Sequence, residues 1–158
     1  MKKYIFTLLA IIVMSVPAFA DEKQEALKFF NSYVEGANNY SPTIAEMYSP
    51  NAKIIRQIIK PDGTTANAST DTATYIKQMK IGQAGAKLRH YKNTYTNIVV
   101  APYEDNAYKI SSLRQPSGET YKLKTYMIVK KQPNGKWQII EEMMQTKVQT
   151  FLRYADKE

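Results

Sequence analysis

Along this chain the spacing of apolar positions changes once, from a helical period to alternation. Between Glu22 and Asn38, the residues Ala26, Phe29, Phe30, Tyr33, Val34 and Ala37 recur at steps of three and four, one stripe of an amphipathic helix. Asp21 and Gln24 are spaced to act as a reciprocal capping box at its start, and Gly36 with Asn38-Asn39 weakens its end. Ser41-Pro42 restarts a short helix through Ile44, Ala45, Met47 and Tyr48, since serine accepts from the first free amides and proline suits the first turn. Ser49-Pro50-Asn51 is expected to stop it. Ala52 to Ile59 is β-branched and apolar with Arg56 and Gln57 inside, a strand closed by the turn Pro61-Asp62-Gly63-Thr64. Asp71 is placed to cap a third helix from Thr72 to Ile81, which Gly82 and Gly85 should end.

After Gly85 the pattern reads as strand throughout. Four runs, Leu88 to Val100, Ala107 to Arg114, Tyr121 to Lys130 and Lys136 to about Val148, are separated by turn signals at Ala101 to Asn106, Pro116-Ser117-Gly118 and Pro133-Asn134-Gly135. Successive strands with short turns form an antiparallel meander. With helices gathered ahead of it, the expected class is α+β, helices packed over the concave face of a strongly curved antiparallel sheet. No internal repeat, linker or low-complexity run divides the chain, so residues 21–158 are expected to form one domain.

Residues 1–20 read differently from the rest. Lys2 and Lys3 precede an uncharged apolar stretch from Tyr4 to Val16, and Pro17-Ala18-Phe19-Ala20 ends in the small-x-small pattern that a signal peptidase accepts. At about 1.5 Å per residue that stretch reaches roughly 20 Å, short of a hydrocarbon core about 30 Å thick. A signal peptide cleaved after Ala20 is therefore expected, rather than a membrane-spanning anchor, and the product should be periplasmic or secreted. The chain has 158 residues, no cysteine and a single histidine. Disulfides, thiol catalysis and thiolate or multi-histidine metal sites are thereby excluded, so no metal and no cofactor is expected.

The order of two N-terminal helices, a strand, a third helix and a long meander resembles the nuclear transport factor 2-like (NTF2-like, SnoaL-like) superfamily. Three segments carry the likeness: Met47 to Ile54 at the helix-to-strand junction, Asp71 to Ile76 opening the third helix, and Asn134 to Ile140 opening the last strand. The resemblance implies an open cone able to hold a small ligand. It does not choose among isomerases, hydrolases, dehydratases, lipid carriers and members without catalysis.

Strand alternation suggests what the cone holds. On the last strand Trp137, Ile139, Glu141, Met143 and Gln145 share one parity, and the resemblance assigns that face to the cavity. Tyr126 on the preceding strand, Arg56 or Gln57 on the first long strand, and Phe30, Tyr33 and Val34 from the first helix complete the expected ligand-binding set. Such a wall suits a small apolar or amphipathic ligand, although core packing alone gives the same composition. For chemistry, the resemblance implies a carboxylate in an apolar cone with a phenol to hold a developing oxyanion. Glu141 is the weak catalytic candidate, with Tyr33 or Tyr126 as donor and His90 the only imidazole; binding without catalysis is the expectation.

The formal charge of +8 falls to +6 when Lys2 and Lys3 leave with the signal peptide. The lysines are dispersed, which favours solubility, and an exported chain is not expected to meet nucleic acid. Lys122, Lys124 and Lys130 share one parity, so one sheet face is expected to be basic. A homodimer through a sheet face is a further expectation. Finally, Gly118 to Lys124 followed by Gly135 to Glu142 resembles a strand pair of periplasmic phospholipid-shuttling proteins, which implies a lipid carrier as the alternative role. Those proteins add a helix after the last strand, for which Thr146 to Ala155 is available.

Overall fold

The stripe predicted for the first helix is buried along its length. In the computed structural model, which describes residues 16–157, helix α1 spans Val16–Asn38, with Ala26, Phe30 and Tyr33 in the core and Phe29, Val34 and Ala37 packed against it. Residues 1–15 of the expected leader lie outside the described residues. Asp21 is not an N-cap here, because α1 is already helical from Val16 and runs straight through it.

Both long helices end on a left-handed residue that is not glycine. Tyr40 (φ 58°) follows α1, and the amides of Tyr40 and Ser41 return to the carbonyls of Ala37 and Gly36. His90 (φ 51°) plays the same part after α2, Thr72–Leu88, with His90 N–H on Lys87 and Tyr91 N–H on Ala86. Each pair satisfies carbonyls that a helix end would otherwise leave free. The Tyr40 hydroxyl then donates to the Tyr91 carbonyl at 3.1 Å, tying the two helix ends together. The lone histidine thus has a backbone role. Helix α2 runs one turn and more beyond the predicted stop at Ile81, since single glycines at 82 and 85 among helix-forming residues weaken a helix without ending it. Its start is as expected: the Asp71 side chain accepts from the Thr74 amide at 2.8 Å, a bond that holds its carboxyl below the usual aspartate range.

Strands follow in the order β1 (Tyr48–Ile59), β2 (Thr65–Thr70), β3 (Asn93–Glu104), β4 (Ala107–Pro116), β5 (Leu123–Lys131) and β6 (Trp137–Thr146). They form one curved, unclosed six-stranded sheet ordered β2-β1-β6-β5-β4-β3. The meander β3 to β6 is antiparallel as predicted, and β1 joins β6 in parallel, which the long intervening chain of β2, α2 and β3 to β5 permits. The short helix ends at Met47 and Ser49-Pro50-Asn51 already belongs to β1; the register of β1 against β6 shifts between Tyr48 and Lys53, which accommodates the proline. Short 3-10 helices at Pro42–Met47 and Gln149–Tyr154 flank the sheet, the first capped by Ser41 as expected.

The core lies between α1 and one face of the sheet. Ile54 of β1, Tyr108 and Ile110 of β4, Met127 and Val129 of β5, and Ile139 of β6 meet Ala26, Phe30 and Tyr33 there. That face is called the inner face below. Thr72 joins α2 to β1, its hydroxyl within 3.0 Å of the carbonyls of both Ser49 and Ala52.

Candidate functional site

The inner face is not uniformly apolar: a carboxylate is buried in it. Glu142 of β6 is 0% exposed. Its Oε1 accepts from Arg56 Nη1 at 2.9 Å, and its Oε2 accepts from the Tyr48 hydroxyl and, at 3.3 Å, from the Tyr33 hydroxyl. The Tyr48 hydroxyl also lies 3.3 Å from that of Tyr33. Tyr75 of α2 closes the group, its ring 5.3 Å from that of Tyr48 and 5.0 Å below the Arg56 guanidinium. Burial, and then the charge of Glu142, pushes the Tyr33 and Tyr48 phenols well above their ordinary range, so both stay protonated donors.

A one-residue irregularity decides why Glu142, and not Glu141, points inward. In β6, Ile139 pairs with Val129 and Glu141 with Ile128, so Ile140 has no partner of its own and bulges. Alternation therefore holds from Trp137 to Ile139 and flips after it, since two residues of one strand then face one of the other. Met127, an inner-face residue, is opposite Glu142, and Thr125 is opposite Met144.

This corrects the expectation that one cavity face runs from Trp137 to Gln145. Phe30, Tyr33, Val34, Arg56, Trp137 and Ile139 lie on the α1 side of the sheet. Glu141, Met143 and Tyr126 lie on the opposite face. There the Tyr126 hydroxyl donates to Glu141 Oε1 at 2.5 Å, and burial, helped by that bond, raises the phenol's pKa. Lys109 sits 4.1 Å over the Tyr126 ring, and Lys53 is in register with Glu141. Lys124 and Lys130 share that outer face, as their parity predicts. Glu141 is thus a partly exposed member of a charged outer surface, and the pairing proposed for it with Tyr33 is not formed.

A second polar group occupies the inner face near the end of β4. Arg114 is 7% exposed; Nη1 donates to Asn93 Oδ1 at 2.9 Å and Nη2 to the Gln145 carbonyl at 2.8 Å. Asn93 is itself clamped by Asn38 of α1, which donates to its carbonyl and accepts from its amide, both at 2.9 Å. Tyr95 lies between the two groups: it is in register with Arg114, its ring stands edge-on to Phe30 at 5.6 Å, and burial raises its pKa. Tyr48, Tyr75, Tyr95, Ser112, Arg114 and Glu142 were not picked out from sequence. For Glu142 no local signal distinguishes it from its neighbour, whereas parity with Tyr108 and Ile110 marks Ser112 and Arg114.

Among the described residues no group of three or more acids and histidines could hold a metal ion, and no helix is long and apolar enough to cross a membrane.

No protein-family model and no curated protein sequence matches the chain. Solved structures do. A protein of unknown function from the DUF3225 family of Pectobacterium atrosepticum superposes with a TM-score of 0.60 at 16% identity, over 80% of this chain and 91% of the other. An NTF-2 like protein of unknown function from Shewanella oneidensis gives 0.57 at 13%, over 80% and 98%. A putative scytalone dehydratase from Novosphingobium aromaticivorans gives 0.56 at 14%, over 82% and 87%. The fold is NTF2-like, and at these identities the likeness establishes the fold alone.

Proposed function

We propose that this chain is exported after cleavage at Ala20 and binds a small amphipathic molecule on its inner face without transforming it. The way Glu142 is held carries the reading. Both of its oxygens are engaged by Arg56, Tyr48 and Tyr33, so the carboxylate holds β6 to β1 and α1 rather than facing a ligand unpartnered. Around this fixed polar floor Tyr75, Met79, Tyr95 and Met144 pack against the core yet remain reachable by solvent, an apolar lining with few polar groups of the kind small ligands use.

Native mass spectrometry of protein purified from its own cell envelope tests this reading. The expected result is a one-to-one adduct of small mass that a Met144→Trp variant, filling the lining, no longer carries. A clean mass together with no saturable binding of an apolar fluorescent dye would overturn it. An adduct of phospholipid mass would instead support the lipid-carrier role.

One observation favours a second reading, proton transfer at Glu142: two phenols are kept neutral beside a buried carboxylate, and a putative scytalone dehydratase shares the fold. That reading requires solvent deuterium to enter a carbon acid in the presence of the protein, and Glu142→Gln to abolish the exchange.

A further inference from the structure

Among the described residues the second cation of the inner face, Arg114, has no counter-charge. Strand β4 turns Tyr108, Ile110, Ser112 and Arg114 to the same side, and its register against β5 is unbroken, so all four share the α1 side of the sheet. Arg56 is neutralised by Glu142. Among the described residues no carboxylate forms an ion pair with Arg114, whose acceptors are a side-chain amide and a backbone carbonyl. Its Nε is buried without a partner, and so is the hydroxyl of Ser112, which is 6% exposed. Thr125, opposite Ser112 across the ladder, turns its own hydroxyl to the Met143 carbonyl at 2.9 Å and makes no bond with Ser112.

Buried donors are nearly always satisfied, and a guanidinium most strongly by an anion. Here two unsatisfied donors stand two residues apart on one strand face, about 7 Å between their Cα atoms, a span that one carboxylate between the side chains can bridge. Both terminal nitrogens of Arg114 are already fixed by Asn93 and Gln145, so the Nε–H is held in place without a ligand.

Resting on the reading of the inner face as a binding surface, we propose that Arg114 Nε and Ser112 Oγ receive the carboxylate of a monocarboxylic acid whose apolar body lies along the partly buried Tyr95 and Met144. One carboxylate matches the single positive charge left over by Glu142, Arg56 and Arg114. The ligand therefore enters acid end toward the Asn38–Asn93 clamp.

Isothermal titration calorimetry of octanoate and phenylacetate against octanol and 2-phenylethanol tests this. The acids should bind at least tenfold more tightly than the alcohols of equal size, the usual margin for hydrogen bonds to a charged group. Ser112→Ala removes a hydroxyl that bonds to nothing among the described residues, so it should fold at least as stably as the parent. It should lose about fivefold or more in acid affinity and nothing in alcohol affinity. Arg114→Lys, which keeps the charge but lacks Nε, should lose more. Alcohols binding as well as acids would overturn the carboxylate site while leaving the inner face a binding surface. Acid affinity unchanged in both variants would likewise overturn it and assign the two donors to a buried water. No binding of either class at millimolar concentration would overturn both readings.

Discussion

Replacing Glu142 by glutamine keeps the shape of the inner-face network and removes only its negative charge. Arg56, whose side chain is 18% exposed, would then be a buried cation without its anion. Breaking one half of a buried pair costs about 3–5 kcal/mol. The contact of the guanidinium with the Tyr75 ring, worth about 1 kcal/mol, and the residual exposure of Arg56 place the expected loss near the lower figure, about 3 kcal/mol. Glutamine's carbonyl can still accept from Arg56 and its amide can donate to the hydroxyl oxygens of Tyr33 and Tyr48, so the shape of the network is kept while one phenol proton loses its acceptor. A domain of ordinary stability, about 5–15 kcal/mol, survives such a loss and can be measured. The companion variant Glu142→Gln/Arg56→Met removes both charges and should recover most of it, to within about 1 kcal/mol of the parent. Urea unfolding followed by the fluorescence of the single tryptophan, Trp137, gives both values and their difference, a recovery of about 2 kcal/mol, and the Arg56→Met single variant completes the cycle. If Glu142→Gln lies within about 0.5 kcal/mol of the parent, or if the two substitutions simply add, the network does not carry the charge as described.

Glu141→Gln should cost under about 1 kcal/mol and leave ligand binding unchanged, because Glu141 sits on the outer face with Tyr126; a loss equal to that of Glu142→Gln in the same urea assay would reverse the assignment of faces. Alkaline pH should destabilise the fold. The folded state holds the Tyr33 and Tyr48 protons to higher pH than the unfolded chain, where tyrosine titrates near 10, so their contribution is intact below that value and lost as pH rises above it. Urea midpoints should fall with pH from about 10 upward and fall less in Tyr48→Phe; a flat profile there would contradict the buried phenols. Export should give an intact mass equal to residues 21–158, and recovery of the full 158-residue chain from the envelope fraction would exclude cleavage after Ala20. Light scattering at high micromolar concentration should show a dimer if the outer sheet face self-associates, and a monomer would remove that expectation.

The elements that local chemistry specifies are those that sequence reveals. Three- and four-residue spacing marks the buried stripe of α1, and Ser41 and Asp71 mark two helix starts because their side chains bond to amides only two or three residues on. Elements defined by distant partners are less legible. Strand β2, Thr-Ala-Asn-Ala-Ser-Thr, has almost no apolar signal and exists because it pairs with β1. The end of α2 depends on a left-handed histidine, a residue enriched in that conformation but a far weaker sequence signal than glycine, rather than on either of its glycines.

The candidate site divides along the same line. Choosing between Glu141 and Glu142 requires knowing that Ile140 bulges, and a bulge is a relation between β6 and β5 that β6 alone does not encode. Sequence could therefore offer an adjacent pair of acids on the right strand but not the inward member. On β4 the ladder to β5 has no bulge, and parity carries through: Tyr108 and Ile110 face the core, so Ser112 and Arg114 must follow them. Two polar side chains on the apolar parity of a regular strand contradict the pattern that folds it. Where the fold gives such residues full partners, as Glu142 has, the conflict is resolved internally. Ser112 Oγ and Arg114 Nε keep theirs unresolved, and a conflict that persists in the folded chain is the mark of a position kept for something outside it.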